Sequence, residues 1–233
     1  MPYLGSYTMR TEFSVLTGIK LCDLKVFSYD PYLLAKKIPI TSLATEYKRL
    51  GFTTICVHPN FKEFFSRDKV MKNFDFDLFL SKKELQESLV QQGRTIKSID
   101  DATLLKLVSD IITNDYKDKK VFIFIITMGS HGPWQNSYLK KTKNFDELAL
   151  YKEKINILSN ATVSLLDNCS KEDCPISLVL YGDHLPVIEK LYSSKANLMP
   201  DVLAYNLPNL KDKTQAIITS SSALHNLVLK ALS

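Results

Sequence analysis

Apolar and polar positions along the chain repeat with two different periods, and the periods take turns. Short, dense apolar or β-branched runs occur at Phe52-Thr53-Thr54-Ile55-Cys56-Val57, at Lys120-Val121-Phe122-Ile123-Phe124-Ile125-Ile126-Thr127, at Ile176-Ser177-Leu178-Val179-Leu180 and over residues 201–205. Each has the length and composition of a sheet strand, and the second has the unbroken character of a strand buried on both faces. Between them the period lengthens to that of a helix. Residues 12–19 read as a short helix stopped near Gly18, and residues 42–50 as an amphipathic helix ended by Gly51. Residues 100–113 place Leu104, Leu105, Leu107, Val108, Ile111 and Ile112 on one side, a strong amphipathic pattern. Residues 145–168 and 221–232 complete the set, the last opened by a Ser cap.

Alternation of this kind predicts an α/β fold: a mostly parallel sheet covered by helices on both faces, a three-layer α/β/α sandwich. No Pro/Gly/Ser-rich linker and no internal repeat divides residues 1–233, so one domain is expected. The 233 residues can bury a sizeable core, and a hydrophobic content of 45% excludes wholesale disorder. The formal charge of +5 comes from scattered lysines such as those of Lys117-Asp118-Lys119-Lys120, which read as a solvated surface. Without basic patches interleaved with aromatics, no nucleic-acid partner is expected. The apolar run from Val121 to Met128 falls far short of the roughly 20 residues of a membrane span. The four cysteines are too few for a disulfide scaffold. Cys22 and Cys56 sit in apolar surroundings and read as core fillers, whereas Cys169 and Cys174 bracket a polar turn that an oxidising compartment could bridge.

Candidate chemistry gathers behind the predicted strands. Of four histidines, His58, His131 and His184 each follow a strand, and only His225 lies inside a helix. Tyr181-Gly182-Asp183-His184 delivers a carboxylate and an imidazole on adjacent residues at a strand end, where open α/β sheets place ligands. The pair reads as half of a divalent-metal site or as a turn that caps the strand. Met128-Gly129-Ser130-His131-Gly132-Pro133-Trp134 is either a small-residue turn that lets a substrate approach, with Trp134 as a wall, or a Gly-Pro turn anchored by that ring. His58-Pro59-Asn60 precedes Phe64-Phe65-Ser66-Arg67-Asp68, in which Arg67 either forks onto a tetrahedral oxyanion or pairs with Asp68 at the surface. Thr8 stands just ahead of the first helix, where its hydroxyl serves as an N-cap or as a nucleophile activated at a helix N-terminus.

Taken together and in order, Thr-x-x-x-Glu-Phe from Thr8 to Phe13, His-x8-Arg-Asp from His58 to Asp68, Ser130-His131-x-Pro133-Trp134 and Tyr181-Gly182-Asp183-His184 resemble the lipoteichoic acid synthase group of the alkaline phosphatase/sulfatase superfamily. Leu16-Thr17-Gly18, Arg67-Asp68-Lys69-Val70-Met71 and Phe76-Asp77 share that character, and the likeness runs from about residue 5 to 190. Within the group the chain looks most like sulfatase-domain proteins of capsular or surface-polysaccharide assembly. The resemblance implies an alkaline phosphatase-like fold and a phosphoglycerol transferase. Thr8 matches the threonine that carries the group covalently, and Thr8, Asp183 and His184 match ligands of a divalent ion, Mn2+ first, with Mg2+ or Zn2+ as alternatives. His58, Arg67 and His131 match residues that hold the phosphate and its glycerol. Phe65 stands where a tryptophan is common, Asn60 where an aspartate occurs, and Trp134 beside the substrate. The implied partners are a phospholipid or glycerol-phosphate donor and a glycan acceptor, with the full-length protein anchored in the membrane and working in the cell envelope.

One departure stands out. Members of the group supply a further metal carboxylate from the end of a first sheet strand, ahead of the nucleophile. Only seven residues precede Thr8, and no Asp or Glu occurs before Glu12. The expectation is a fold lacking its first strand, that carboxylate and any anchor, with Met1 either an internal methionine of a longer gene or the start of a degraded copy. Three functional alternatives follow: a sulfatase or phosphodiesterase-type hydrolase, a phosphoethanolamine transferase, and an inactive fragment. Against a sulfatase, the chain contains no Cys/Ser-x-Pro-x-Arg segment of the kind that yields an aldehyde nucleophile.

Overall fold

The computed structural model describes residues 7–94, 98–132, 146–186, 188, 202–207, 214–217 and 220–229, and every statement below is made of these. Its helices are α1 (Thr8–Thr17), α2 (Tyr32–Ala35), α3 (Leu43–Arg49), α4 (Arg67–Asn73), α5 (Lys82–Gln91), α6 (Asp101–Asp110), α7 (Glu147–Lys171) and α8 (Ser221–Leu229). Its strands are β1 (Thr53–Val57), β2 (Leu78–Leu80), β3 (Val121–Ile125), β4 (Leu178–Tyr181), β5 (Val202–Tyr205) and β6 (Thr214–Ile217). A 3-10 segment, Leu21–Phe27, links α1 to α2.

β1 is the centre of a parallel sheet of order β2-β1-β3, paired Ile55 to Leu78 on one side and Ile55 to Ile123 on the other. Its side chains divide by the period of two. Cys56 joins a core with Phe13 and Leu16 of α1, Leu43 and Ala44 of α3, Val70 and Met71 of α4 and Leu224 of α8. Ile55 and Val57 face the other way, into a core with Leu85 and Leu89 of α5, Leu104, Leu107 and Val108 of α6 and Leu165 of α7. Helices therefore cover both faces, and the α/β layering expected from the alternation is present.

The remaining strands depart from that expectation. β4, β5 and β6 form a second sheet that is antiparallel throughout, with Leu178 opposite Tyr205 and Val202 opposite Ile217. β3 pairs with β1 and packs on both faces, Phe122 and Phe124 against one core and Val121, Ile123 and Ile125 against the other, though most of its side chains are half-buried.

Helix ends follow from local chemistry. Ser42 accepts from the Ala44 amide and forms a capping box with Thr45, which starts α3 where the sequence predicted. Asp100 caps α6 by accepting from the Thr103 amide at 2.8 Å, and Asp146 caps α7. Ser220 accepts from the Ala223 amide ahead of α8. α1 ends at Gly18, whose φ of 72° is a left-handed conformation that glycine adopts without steric cost. Its start corrects the sequence reading. α1 begins at Thr8, four residues earlier than expected, and its N-cap is Tyr7, with no side-chain cap. Thr8 is thus a helical residue and not the cap. Cys22 is a second correction, since it is exposed; Cys56, Cys169 and Cys174 are buried, and all four are free thiols.

Candidate active site

α1 and the end of β4 meet through one hydrogen bond. Thr11 on α1 donates its hydroxyl to the backbone carbonyl of Asp183 at 2.6 Å. That contact, 172 residues apart in sequence, brings the first turn of α1 to the Asp183-His184 turn. Thr8 lies one turn before Thr11, half-buried, and its hydroxyl has no hydrogen-bond partner among the described residues.

The His184 ring has a defined orientation. Its Nδ1 lies 3.0 Å from the carbonyl oxygen of Leu185, which can only accept, so Nδ1 carries a proton and Nε2 is the nitrogen turned to the site. Nε2 is buried with no hydrogen-bond partner. The Asp183 carboxylate lies beside it, Oδ2 at 3.4 Å, while Oδ1 accepts from the His184 amide at 3.0 Å. An imidazole nitrogen and a carboxylate side by side are a donor pair that a divalent ion takes from a protein. Among the described residues no three His, Cys, Asp or Glu side chains converge, so these groups fit two ligands of such an ion and not a complete protein-only cage.

His131 stands on the same side. Its amide closes a turn onto the Met128 carbonyl at 3.1 Å, and its exposed ring sits edge-on to the His184 ring, centroids 6.0 Å apart. His131 Nδ1 donates to the Gly132 carbonyl. Trp134 lies outside the described residues.

His58 and Arg67 are together too, but deep in the core, 1% exposed each. Glu12, equally buried, takes Arg67 Nη2 at 2.7 Å and Nε at 3.3 Å, and Tyr32 donates its hydroxyl to the same carboxylate. Arg67 therefore makes no surface pair with Asp68. Burial alone pulls the guanidinium down, but the Glu12 carboxylate more than offsets this and holds it above its ordinary value. The Tyr32 phenol is pushed well up, first by burial and then by Glu12.

His58 Nδ1 donates to the Ile126 carbonyl at 3.1 Å, so its Nε2 is the acceptor that faces Arg67 Nη1 at 3.4 Å. Burial, and then the Arg67 charge, lower its pKa to about 4, which keeps the ring neutral. The Phe65 ring lies against the Arg67 guanidinium at 5.1 Å, a cation–π contact made from a left-handed backbone (φ 57°). Asn60 is half-buried and turns inward on its own loop, accepting from the Phe61 amide at 2.8 Å.

Two groups of predicted residues thus emerge: Thr8, Asp183, His184 and His131 at the sheet end, and His58, Arg67 and Phe65 in a buried network behind. Sequence reasoning missed the residues that tie them in place. Glu12 and Thr11 stood in the Thr8–Phe13 segment without an assigned role, and Tyr32 and Asp101 carried no motif. The available signal was Glu12 itself, a charged residue on the apolar stripe of α1, which demands a buried partner.

The comparisons with known proteins agree with this architecture. Residues 2–219 match the sequence profile of the family described as Sulfatase. A capsular polysaccharide biosynthesis protein, RkpI of Rhizobium meliloti, is 30% identical over 197 residues, covering 84% of this chain and 35% of that protein. The lipoteichoic acid synthase LtaP of Listeria monocytogenes superposes with a TM-score of 0.65 at 21% identity, over 81% of this chain and 46% of that one. A member of the alkaline phosphatase superfamily from Vibrio parahaemolyticus superposes with a TM-score of 0.66 at 15% identity, over 99% and 56%. The phosphoglycerol transferase GacH of Streptococcus pyogenes, solved with sn-glycerol-1-phosphate, gives a TM-score of 0.56 at 23% identity, over 79% and 50%. The chain spans about a third of the length of that curated relative and about half of the solved chains. The profile match covers most of its length, and the chain belongs to the sulfatase family, with an alkaline phosphatase-like α/β fold.

Proposed function

We propose that this domain performs metal-dependent transfer of a phosphoglycerol-type group to a surface glycan or lipid through an ester on Thr8. The observation that carries the proposal is the convergence at the sheet end: His184 Nε2, buried without a hydrogen-bond partner among the described residues, beside the Asp183 carboxylate, with the Thr8 end of α1 drawn to that turn by Thr11. Transfer of this kind is in keeping with GacH, which is named a phosphoglycerol transferase, and a surface-glycan setting with RkpI, named for capsular polysaccharide biosynthesis.

Asp183, His184 and Thr8 would hold the ion, which when bound supplies positive charge that lowers the pKa of a coordinated hydroxyl and offsets charge on phosphoryl oxygens. The chain's own residues do the rest. The Thr8 oxygen, with no hydrogen-bond partner among the described residues, gives its proton to solvent and forms the bond to phosphorus. The bond from phosphorus to the donor's alkoxide breaks, and that oxygen takes up a proton. An acceptor hydroxyl then takes the group from Thr8, which completes a ping-pong transfer. His131, exposed beside His184, is placed to hydrogen-bond a phosphoryl oxygen. Arg67 is buried with two nitrogens on Glu12 and Nη1 facing His58, so its part is to hold the network behind the site and not to fork onto the substrate.

The expected donor is a phospholipid or glycerol-phosphate diester, the acceptor a glycan, and the place of work the cell envelope. No helix among the described residues is long and apolar enough to cross a membrane, so anchoring belongs to other parts of a longer protein in this proposal. Incubating the domain, alone and within its full-length protein, with phosphatidylglycerol and Mn2+ tests the reading by intact mass. One phosphoglycerol adduct is expected, absent in Thr8→Ala and absent with EDTA. An adduct that survives Thr8→Ala removes the assigned nucleophile, and one indifferent to EDTA removes the metal.

A further inference from the structure

The segment that follows β3 is pinned from two sides. On one side the His58 ring donates to the Ile126 carbonyl, and the Ile126 amide donates to the Val57 carbonyl at 2.9 Å. On the other, Asp101, the first residue of α6, accepts the amides of Met128 at 3.2 Å and Gly129 at 2.8 Å on one oxygen, Oδ1. Asp101 is 2% exposed, and its other oxygen, Oδ2, is buried with no hydrogen-bond partner. A buried carboxylate oxygen left unpartnered costs free energy, so the position is not explained by helix capping, which Asp100 already performs.

The fit is close as well as polar. A Cβ at Gly129 would lie 2.5 Å from Asp101 Oδ2, which leaves room for glycine alone unless the carboxylate moves. Two residues further on, the His131 amide closes its turn onto Met128, and the His131 ring then meets the His184 ring. Helix α6, the glycine and the turn form a continuous mechanical path from the Asp101 carboxylate to the His131 imidazole.

The geometry points to Asp101 as the positioning residue for His131: its single Oδ1, by holding two consecutive amides, sets where the His131 ring stands relative to His184. The catalytic consequence rests on the transferase reading above; the structural consequence rests on the hydrogen bonds alone. A misplacement of about 1 Å in a substrate-contacting group can cost on the order of a hundredfold in rate, so an effect through position is large enough to measure.

The test compares Asp101→Ala, Asp101→Asn and Gly129→Ala in the same protein. Asn keeps the oxygen that accepts both amides, Ala removes it, and Gly129→Ala forces the turn away from an intact Asp101. Imidazole NMR, read as the His131–His184 ring NOE, reports position without requiring turnover; kcat and KM for phosphatidylglycerol-dependent transfer report the consequence. The NOE is expected to persist in Asp101→Asn and to be lost in Asp101→Ala and Gly129→Ala. kcat is expected to fall tenfold or more in the latter two and to stay within threefold of the parent in Asp101→Asn. Should Asp101→Ala fail to fold, Gly129→Ala carries the same comparison. Persistence of the NOE in every folded variant overturns the proposal, and so does a lost NOE with unchanged kcat. A lost NOE in a protein whose parent performs no transfer sinks the transferase reading and leaves Asp101 as the residue that places His131.

Discussion

The Glu12 carboxylate takes two nitrogens of the Arg67 guanidinium, Nη2 at 2.7 Å and Nε at 3.3 Å, in a place where both side chains are 2% exposed. A pair so buried contributes little net attraction once both ions have been desolvated, but each holds the other's penalty in check. Removal of one partner is therefore much worse than removal of both. Glu12→Ala is expected to cost about 3–5 kcal/mol in urea unfolding, because it strands the Arg67 charge in the core. The Glu12→Ala/Arg67→Ala double variant is expected to cost clearly less than the sum of the two single changes, by 1 kcal/mol or more on the usual scale of contacting pairs. Strict additivity would mean that the two groups do not share their energy.

The same network predicts a pH dependence. His58 has a folded pKa of about 4, below its ordinary value of 6.5, because burial and the Arg67 charge oppose its protonation. Between those values the unfolded chain binds a proton that the folded chain refuses. The stability due to a neutral His58 is thus complete above about pH 6.5 and is lost as pH falls toward 4. A shift of this size corresponds to roughly 3 kcal/mol. His58→Gln, which cannot take up that proton, should flatten the decline across this window in urea titrations. An unchanged pH profile in His58→Gln would show that another group dominates acid destabilisation.

How much of this was legible beforehand follows from where the information sits. The strands Thr53–Val57 and Val202–Tyr205 and helices α3, α6 and α7 announce themselves, because a local period and a local cap determine each. Helix α5, strand β2 and the short turns around Leu21–Phe27 and Tyr32–Ala35 were not read: they are short, and their apolar residues are spaced to suit neighbours distant in sequence. The antiparallel pairing of β4 with β5 was equally hidden, since strand direction leaves no mark on composition. At the site, Thr8, His131, Asp183 and His184 were named from motif order. Glu12 stood in the first motif without a role, and Tyr32, Thr11 and Asp101 were given none, because their work is to hold other side chains and backbone through contacts far apart in the chain.

Thr8 offers a clean separation of chemistry from folding. It occupies the first position of α1, Tyr7 supplies the N-cap, and no hydrogen bond to the Thr8 hydroxyl is present among the described residues. Loss of a working Thr cap would cost about 1 kcal/mol. Thr8→Ala should instead leave the urea midpoint within about 0.5 kcal/mol of the parent, the range of changes that touch no such feature, while it abolishes the covalent adduct. A destabilisation of a full cap's worth would return the hydroxyl to a structural role.

Thr11 is the remaining link, and it tests whether the two halves of the site act as one. Its hydroxyl donates to the Asp183 carbonyl at 2.6 Å, and Asp183 is followed at once by the His184 ring with its unpartnered Nε2. Thr11→Val preserves shape and removes only the donor, so the Asp183 carbonyl loses a partly buried partner and stability should fall by about 1 kcal/mol. If α1 also fixes where the Asp183 and His184 side chains point, the same free energy appears in ion binding. By the relation between free energy and affinity, about 1 kcal/mol is a roughly fivefold rise in Kd, measured for Mn2+ by isothermal titration calorimetry in the full-length protein. A hydrogen bond to the backbone of a ligand residue acts by orienting that ligand without replacing it, so stability and affinity should move together in Thr11→Val and separate in Thr8→Ala. A Thr11→Val protein that unfolds more easily but binds Mn2+ as tightly as its parent would show that the strand-end pair keeps its geometry without help from α1.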